Sequence, residues 1–574
     1  MRTLYGLPLS LLLCALPAQD KSPFRFVPAD ANFVVRISSP AKWQQQFAKA
    51  QITKLFQSQT LAPMVGMMQE GYAQMIEQLR GQGTIDADLI DALVTTYTGD
   101  IVIAAKVDLS NLEEMMQTGE QPEFEVVMSL SPDGSFDLAK IAAEIEKAAD
   151  KNPPPNGKVR ELSVGNLKTR ILEQDEGPNM SLPTLVDGHL VMFLGSKLEP
   201  QINRAIAATG HYTGGNATAS MFVHAELGSL MKAMTSAMGA AMDMQGAPFD
   251  VAEMMRTLGL ESVQNFDMSL AADGEHLQVD YEIGLAGELG LLGAMLTDQP
   301  STKLLRVVPD DVENFGLMTV DAKVVFATIA KAWKLVGDEA PMSWDDAMAA
   351  ASEATKVRLK EDVIDHLGAQ VLMLTPTIKD GAEDEAEGNP IQMAMQTMPV
   401  MAIELKNGKA FAESLETMLR SAGLHAARKT EEYQGQKVYK VNVGGMAQVE
   451  YAVTDDMLLL SVRGDETGAR ALRSALDASK STGGEMPARI KSLVAGLPEG
   501  WSGLSVMSMS ETFKSVSKAM DMQAQMGAEE LPPEAEMMFG MLKSLGEEMK
   551  RLGIDRAVGT THTSKNGMRM RMRM

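Results

Sequence analysis

Cysteine is nearly missing from these 574 residues, occurring once, at Cys14. That position falls in a leader-like start, so the chain beyond it is expected to have no disulfide, no thiolate nucleophile and no cysteine ligand for zinc or an iron–sulfur cluster. Export commonly brings disulfides, but a chain of this length can bury enough apolar surface in two or more domains without them. Beyond the leader there is no run of eighteen uninterrupted apolar residues, the length a membrane-spanning helix needs. Positive charge is scarce as well: 52 Lys and Arg stand against 76 Asp and Glu, a formal net charge of −24. Such a field repels nucleic acid and anionic lipid unless basic residues are segregated, and the sequence shows no basic patch.

The chemistry-bearing motifs are missing too. The seven histidines, His189, His211, His224, His276, His366, His425 and His562, never reach HxH or HExxH spacing. No P-loop or G-x-G-x-x-G fingerprint occurs, and Gly503-Leu504-Ser505-Val506-Met507 does not fit the nucleophile elbow G-x-S-x-G. Four weaker patterns have structural explanations. His224 and Glu226 share a strand face at i and i+2, but they lack a third ligand. Asp86, Asp88 and Asp91 read as helix-start and surface carboxylates, because the glycine and closing glutamate of a calcium loop are missing. The glycine-rich stretch from Gly284 lacks the acidic partner of a dinucleotide site and reads as a packed connector. Pro28 with Asp30, and Pro309 with Asp310, read as a strand-edge proline followed by a turn-capping aspartate. The expectation is therefore no catalytic, cofactor-binding or metal-binding residue, no cofactor, and no enzyme activity.

What is present begins with the leader. Arg2, the apolar run Leu7–Leu16 and the small residues at Pro17-Ala18 have the layout of a signal peptide over residues 1–18, with cleavage near Ala18-Gln19. Lipidation of Cys14 is disfavoured, because Leu13 is bulky where a lipoprotein peptidase needs a small side chain. The expected destination is the periplasm or the extracellular space.

The rest of the chain carries one order of signals twice. "RFVPADANFVVRISSPAKW" from Arg25 is answered by "RVVPDDVENFGLMTVDAKV" from Arg306, and "YTGDIVIAAKVD" from Tyr97 by "HLGAQVLMLTP" from His366. "FEVVMSLSPDGSFDLAKI" from Phe124 matches "PVMAIELKNGKAFAESL" from Pro399, and "VDGHLVMFLG" from Val186 matches "TDDMLLLSVR" from Thr454. Each pairing reads as strand, turn and helix in one order, which predicts an internal duplication. The predicted fold is α+β: two similar tandem domains, 23–297 and 302–574, each with a curved, largely antiparallel sheet packed by helices. About seven strands and four or five helices are expected per copy. The junction is placed at Thr297–Thr302, with flexible breaks at Asn152–Gly157, Gly210–Thr218, Asp380–Pro390 and Ser479–Pro487.

Methionine is abundant, with 45 residues. Both copies have a methionine-rich helical region followed by two strands. In the second copy the last of these is Gly567–Met574, "GMRMRMRM", after an expected Asn566-Gly567 turn. Period-two alternation puts Met568, Met570, Met572 and Met574 on one face, read as packed, and Arg569, Arg571 and Arg573 on the other. Copper on the thioethers and a nucleic-acid tail are the weaker readings, for want of a partnering Cys or His and of an overall basic charge.

The leader, "FVPADANFVVRI", "YTGDIVIAA" and "VDGHLVMFLG" together resemble uncharacterised exported bacterial proteins of a domain-of-unknown-function family with a Pro-x-Asp opening strand. The second copy departs from that pattern where Leu367-Gly368-Ala369 replaces Gly99-Asp100. The resemblance implies an exported, non-catalytic α+β protein and supplies no ligand. Two functions remain open on the sequence. One is a binding or scaffolding protein of the cell envelope with an unknown protein partner. The other is a periplasmic carrier of an apolar ligand such as lipid, since methionine suits adaptable apolar surfaces. A hydrolase without a recognisable motif is the weakest reading.

Overall fold

The computed structural model describes residues 22–82, 86–108, 123–151, 157–165, 167–174, 178–207, 212, 214–216, 218–244, 249–296, 302–337, 340–375, 399–443, 447–462, 466–481, 485–495, 497, 500–514 and 544–574. The leader with Cys14, the expected break at 380–390, most of the expected junction and the methionine-rich stretch 515–543 lie outside the described residues. The chain is α+β, with extensive antiparallel sheet and many helices. Among the described residues no helix is long and apolar enough to cross a membrane. Two compact units form: Met1–Thr53, Ala62–Glu226 and Asp267–Glu275 make the first, and Lys54–Leu61, Leu227–Phe266 and His276–Met574 the second.

In the first unit, β1 (Phe33–Ser38) lies between β2 (Asp100–Val107) and β9 (Met221–Glu226). β2 continues to β3 (Phe124–Leu130), and β3 to β8 (His189–Gly195). β8 carries both β6 (Asn179–Ser181) and β7 (Thr184–Val186), β6 pairs with β5 (Leu167–Gln174), and β5 with β4 (Gly157–Val164). β10 (Val263–Asp273), of which 267–273 belongs to this unit, pairs with β9. The strand order is thus β4-β5-β6-β8-β3-β2-β1-β9. Local chemistry sets the turns. Asp187 and Gly188, with φ of 50° and 84°, give the β7–β8 hairpin the left-handed backbone that a two-residue primed turn needs. Pro183, which has no N–H to donate, falls in the gap between β6 and β7.

In the second unit, β12 (Asn314–Thr319) lies between β13 (Leu367–Thr375) and β19 (Gly503–Ser508). From β13 the ladder runs to β14 (Val400–Leu405), β18 (Met457–Ser461), β17 (Ala447–Val453), β16 (Gln436–Val443) and β15 (Lys429–Tyr433). From β19 it runs to β20 (Arg556–Ser564), β21 (Gly567–Arg573) and β11 (His276–Leu285). The order β15-β16-β17-β18-β14-β13-β12-β19 repeats that of the first unit when β6 and β7 together are set against β17.

Each unit packs its larger core against one sheet face, with a smaller buried cluster on the other: Tyr97, Leu138, Ile141 and Leu190 in the first, Phe411, Tyr451 and Leu458 in the second. In the first, Val34, Val102, Phe193 and Phe222 meet Leu198 and Ile202 of the helix Leu198–Ala207 and Phe24 and Phe26 of the opening segment. In the second, Leu317, Leu372, Leu459 and Leu504 meet Leu472 and Leu476 of the helix Glu466–Ser481 and Leu304 and Leu305 of its own opening segment. Each such fully buried side chain is worth about 1.5–3 kcal/mol.

Three expectations change in detail. The strands outnumber the seven expected per copy, because the β4–β5 hairpin and β15–β17 carry charged residues between their apolar ones. The β20–β21 loop is Lys565-Asn566, since Ser564 pairs with Gly567, so the turn sits one residue earlier than Asn566-Gly567. The compact units also do not divide at 297–302. β11 pairs with β21, the Asp321 N–H donates to the Ala294 carbonyl at 2.8 Å, and the helices Val251–Leu258 and Ala322–Val336 pack together.

Candidate functional site

Alternation along a strand gives every sheet two faces, and here the face opposite the core is apolar as well. In the first unit the registers align three rows on that outer face: Ala225–Phe33–Ala105–Val126–Leu194, Val223–Val35–Ile103–Met128–Met192, and Met221–Ile37–Ile101–Leu130–Leu190. None of these side chains is polar, yet most are only half-buried. Phe33 and Ile37 are 41% and 37% exposed although β1 is paired on both sides. On the inner face of the same strand, Val34 and Arg36 are both fully buried. Leu138 and Ile141 of the helix Leu138–Lys151, with Tyr97 and with Leu89, Ile90 and Leu93 of the helix Ala87–Thr96, pack against the Ile101–Leu130–Leu190 end.

The second unit repeats the arrangement with different side chains. One outer row reads Met572–Gly559–Ser505–Gly316–Met373–Met401 across six strands. Beside it run Met570–Thr561–Gly503 and Met318–Val371–Ile403. Methionines flank a strip of glycine, serine and threonine. A methyl group built on Gly316 would meet no atom of the described residues within 4 Å, whereas one on Gly503 would meet Thr561 Cβ at 3.2 Å and one on Gly559 would meet Ser505 Oγ at 2.5 Å. Of these three glycines only Gly316 leaves room for a methyl group among the described residues; Gly503 and Gly559 are buried. The inner row of the same strands, Thr560–Leu504–Leu317–Leu372, is 3% exposed or less throughout.

The helices show the same asymmetry. The core-side helix Glu466–Ser481 fully buries Leu472 and Leu476. In the second unit's helices Ala322–Val336 and Trp344–Thr355, by contrast, no described apolar side chain is fully buried. In the helix Gly228–Met244, Met234, Met238 and Met242 are exposed, and Gly239 meets Ala252 of the helix Val251–Leu258.

The methionine–arginine strand falls into place on this frame. Its alternation is as expected, but β21 is paired on both edges, and its faces differ from the expectation. Met568, Met570 and Met572 lie half-buried on the open outer face, opposite Ile283, Tyr281 and Val279. The arginines lie on the core-side face. Arg571 Nε and Nη2 donate to Asp280 at 2.7 and 3.2 Å, and Arg569 lies 3.5 Å from the same carboxylate. Burial raises the Asp280 pKa, and Arg571 and the Gln278 amide overcome that and hold it below the ordinary carboxylate value.

A second buried ion pair lies in the first unit. Arg36 Nη2 lies 2.9 Å from Asp100 Oδ1, Lys42 Nζ lies 2.9 Å from both oxygens, and Arg36 also donates to the carbonyls of Asn216 and Ala219. These donors tie β1, β2 and the loop before β9 together. At the matching register positions of the second unit stand Leu317 and Gln370.

Most of the residues weighed from sequence have local partners. His224 Nδ1 lies 2.8 Å from Asp267 rather than joining Glu226. Asp86 caps the helix Ala87–Thr96, Asp88 binds Arg80, and Asp91 accepts from the Tyr72 hydroxyl. Gly284, where the expected connector begins, lies instead within β11, opposite Gly567 and against Asn265. Asp30 pairs with Lys106, and each opening proline accepts a turn hydrogen bond, Ala31 N–H to Pro28 and Val312 N–H to Pro309. Among the described residues no three His, Cys, Asp or Glu side chains converge as metal ligands. Of the residues on this face, Gly316, Met373 and Met401 were not singled out from sequence, whereas Met570 and Met572 were read as packed and Gly503 was weighed only as part of a nucleophile elbow. The signal was the lone glycine inside the strand Asn314–Thr319, which marks a bulge or a close approach.

No protein-family model matches the chain, and no curated protein matches it. Among solved structures it is similar to one titled "Structure of crystal form III of TP0453", at 8% identity over 46% of this chain and 80% of that chain. The TM-score is 0.21, and no feature of the fold or site rests on it.

Proposed function

We propose that this is an exported, non-catalytic binding protein of the cell envelope that holds an apolar ligand against the outer face of its sheet. We propose also that it is built from two tandem copies of one α+β domain, over about 23–297 and 302–574. The observation that carries the ligand reading is the contrast between faces. The inner faces are filled, while the outer faces, apolar in the first unit and lined by methionine, glycine, serine and threonine in the second, are only partly covered, with Phe33 and Ile37 exposed in a central strand. Contiguous apolar surface of this kind marks a binding site, and a single exposed leucine would not. Methionine suits the role because its unbranched thioether chain repacks around irregular apolar shapes. The exposed, half-filled surface favours carriage of a small apolar molecule over pure scaffolding.

Duplication is supported by the repeated strand order and by a shared pin. Arg25 binds Asp187 at 3.1 Å, and Arg306 binds Asp456 at 2.7 Å, each opening arginine reaching the turn before β8 or β18. Export rests on the leader-like first eighteen residues, and N-terminal sequencing of the secreted chain tests it. The ligand reading is tested by organic extraction of protein purified from an exporting host without detergent, followed by mass spectrometry. A near-stoichiometric apolar species is expected. Extracts no richer than those of an unrelated exported protein would remove the reading.

A further inference from the structure

The two units also differ on their core-side faces, and we infer from this difference that the second binds a small oxyanion, a carboxylate or phosphate, between Lys429 and Lys440. The inference concerns the face opposite the one in the apolar-ligand reading and does not depend on that reading. Strand order and register set Lys429–Lys440–Glu450–Ser461, across β15 to β18, against Arg160–Ile171–Ser181–Phe193, across β4, β5, β6 and β8. In the first unit this row is core. Phe193, Ile171 and Ser181 are 2% exposed or less, the Ser181 hydroxyl accepts from the Phe193 N–H at 2.8 Å, and Arg160 pairs with Glu173. In the second unit the row is charged. Glu450 is 2% exposed, and the hydroxyl of fully buried Ser461 has no partner among the described residues.

The charged row is one anion short. Lys440 Nζ lies 2.8 Å from Glu450 Oε1, and Arg473 of the helix Glu466–Ser481 reaches Glu431 at 2.8 Å and Glu450 at 3.5 Å. Lys440 and Arg473 thus neutralise Glu431 and Glu450, while Lys429 makes no ion pair among the described residues. Lys429 stands directly opposite Lys440 on the neighbouring strand, where like charges destabilise a sheet. Beside the two ammonium groups opens a cavity of about 500 Å³, lined also by Glu431, Asn442 and Gln448. The Asn442 side chain, two residues from Lys440 on the same face, has no partner among the described residues. An oxyanion in this cavity takes charge-assisted hydrogen bonds from both lysines and a further one from the Asn442 amide, and relieves the lysine repulsion. The volume suits a small organic acid or a phosphate. A polyanion is disfavoured, because only one cation is in excess and the chain as a whole carries −24. Lysine on an edge strand also deters pairing with other strands, a role that needs no ligand. Binding separates the two roles.

The test is calorimetric titration of the full chain at low ionic strength with inorganic phosphate and, separately, with succinate, on the parent, Lys429→Gln, Asn442→Asp and Arg160→Gln. The parent should bind at least one probe saturably, one per chain, and the tighter probe shows which oxyanion the site takes. Lys429→Gln should weaken binding about tenfold or more. Asn442→Asp places a carboxylate of the protein itself beside the lysines and should abolish binding. Arg160→Gln, at the matching position of the first unit, should bind as the parent does. Urea unfolding gives a second readout. Without added anion, Lys429→Gln should match or exceed the parent's midpoint, and saturating probe should raise the midpoint of the parent but not of Lys429→Gln. No saturable binding of either probe, or binding by Lys429→Gln or Asn442→Asp equal to the parent's, would overturn the site and leave Lys429 as an edge-strand charge.

Discussion

Asp280 and Arg571 face each other across β11 and β21 as a two-pronged ion pair, with contacts of 2.7 and 3.2 Å. The Asp280 side chain is 13% exposed, so the pair sits where desolvation makes a lone carboxylate costly. Arg571→Ser is expected to cost about 1–3 kcal/mol, through the half-buried charge it leaves behind. Alternation read from sequence alone, with the arginines taken as solvent-facing, implies a loss below about 0.5 kcal/mol. Urea unfolding of the full chain distinguishes the two. Asp280→Asn added to Arg571→Ser should recover part of the loss.

The same pair sets a pH dependence. The folded-state pKa of Asp280 is depressed, so its contribution is present above the unfolded value of about 3.9 and lost as pH falls through the folded value. The stability gap between the parent and Asp280→Asn should be full near neutrality and shrink below about pH 4. A gap of constant size down to about pH 3 would contradict the assignment.

Neighbouring residues on β13 test the contrast between faces. Leu372 is fully buried and Met373 half-buried on opposite sides of the strand. Leu372→Ala should cost about 2–5 kcal/mol and Met373→Ala less than about 1.5 kcal/mol. Similar losses at the two positions would mean that the outer face is packed as tightly as the inner one.

Arg36 and Asp100 test the equivalence of the copies. Arg36→Leu alone should cost about 3 kcal/mol, because Asp100 stays buried with only Lys42 as its cation. Arg36→Leu with Asp100→Gln reproduces the neutral pair of Leu317 and Gln370 and should come within about 1 kcal/mol of the parent. A double variant no better than Arg36→Leu would deny that the two sites are structural counterparts.

Much of the fold was legible in the sequence where a short signal was unambiguous. The apolar runs after Gly99 and Gly368 became β2 and β13, Gly368 itself lying inside the second strand. Asp187-Gly188 became a primed turn because those residues tolerate positive φ. The strand Lys429–Tyr433 escaped notice because nearly all of it is exposed and it has no apolar face to betray its period. The site was less legible still. Val35 and Gly316 look unremarkable in their own strands, and only the register, which a sequence does not state, sets Gly316 between Ser505 and Met373. The partner of Arg571 is 291 residues away, so alternation could give its face but not its ion pair.

The central claim is that the outer face holds an apolar molecule, and displacement of an apolar fluorophore tests it most directly. The full chain, delipidated, is titrated with N-phenyl-1-naphthylamine and then with an unlabelled long-chain monoacylglycerol, while far-UV circular dichroism monitors the fold. The account predicts saturable dye binding that the monoacylglycerol reverses without loss of secondary structure. Dye fluorescence that rises linearly without saturating, or that the monoacylglycerol leaves unchanged, would contradict it.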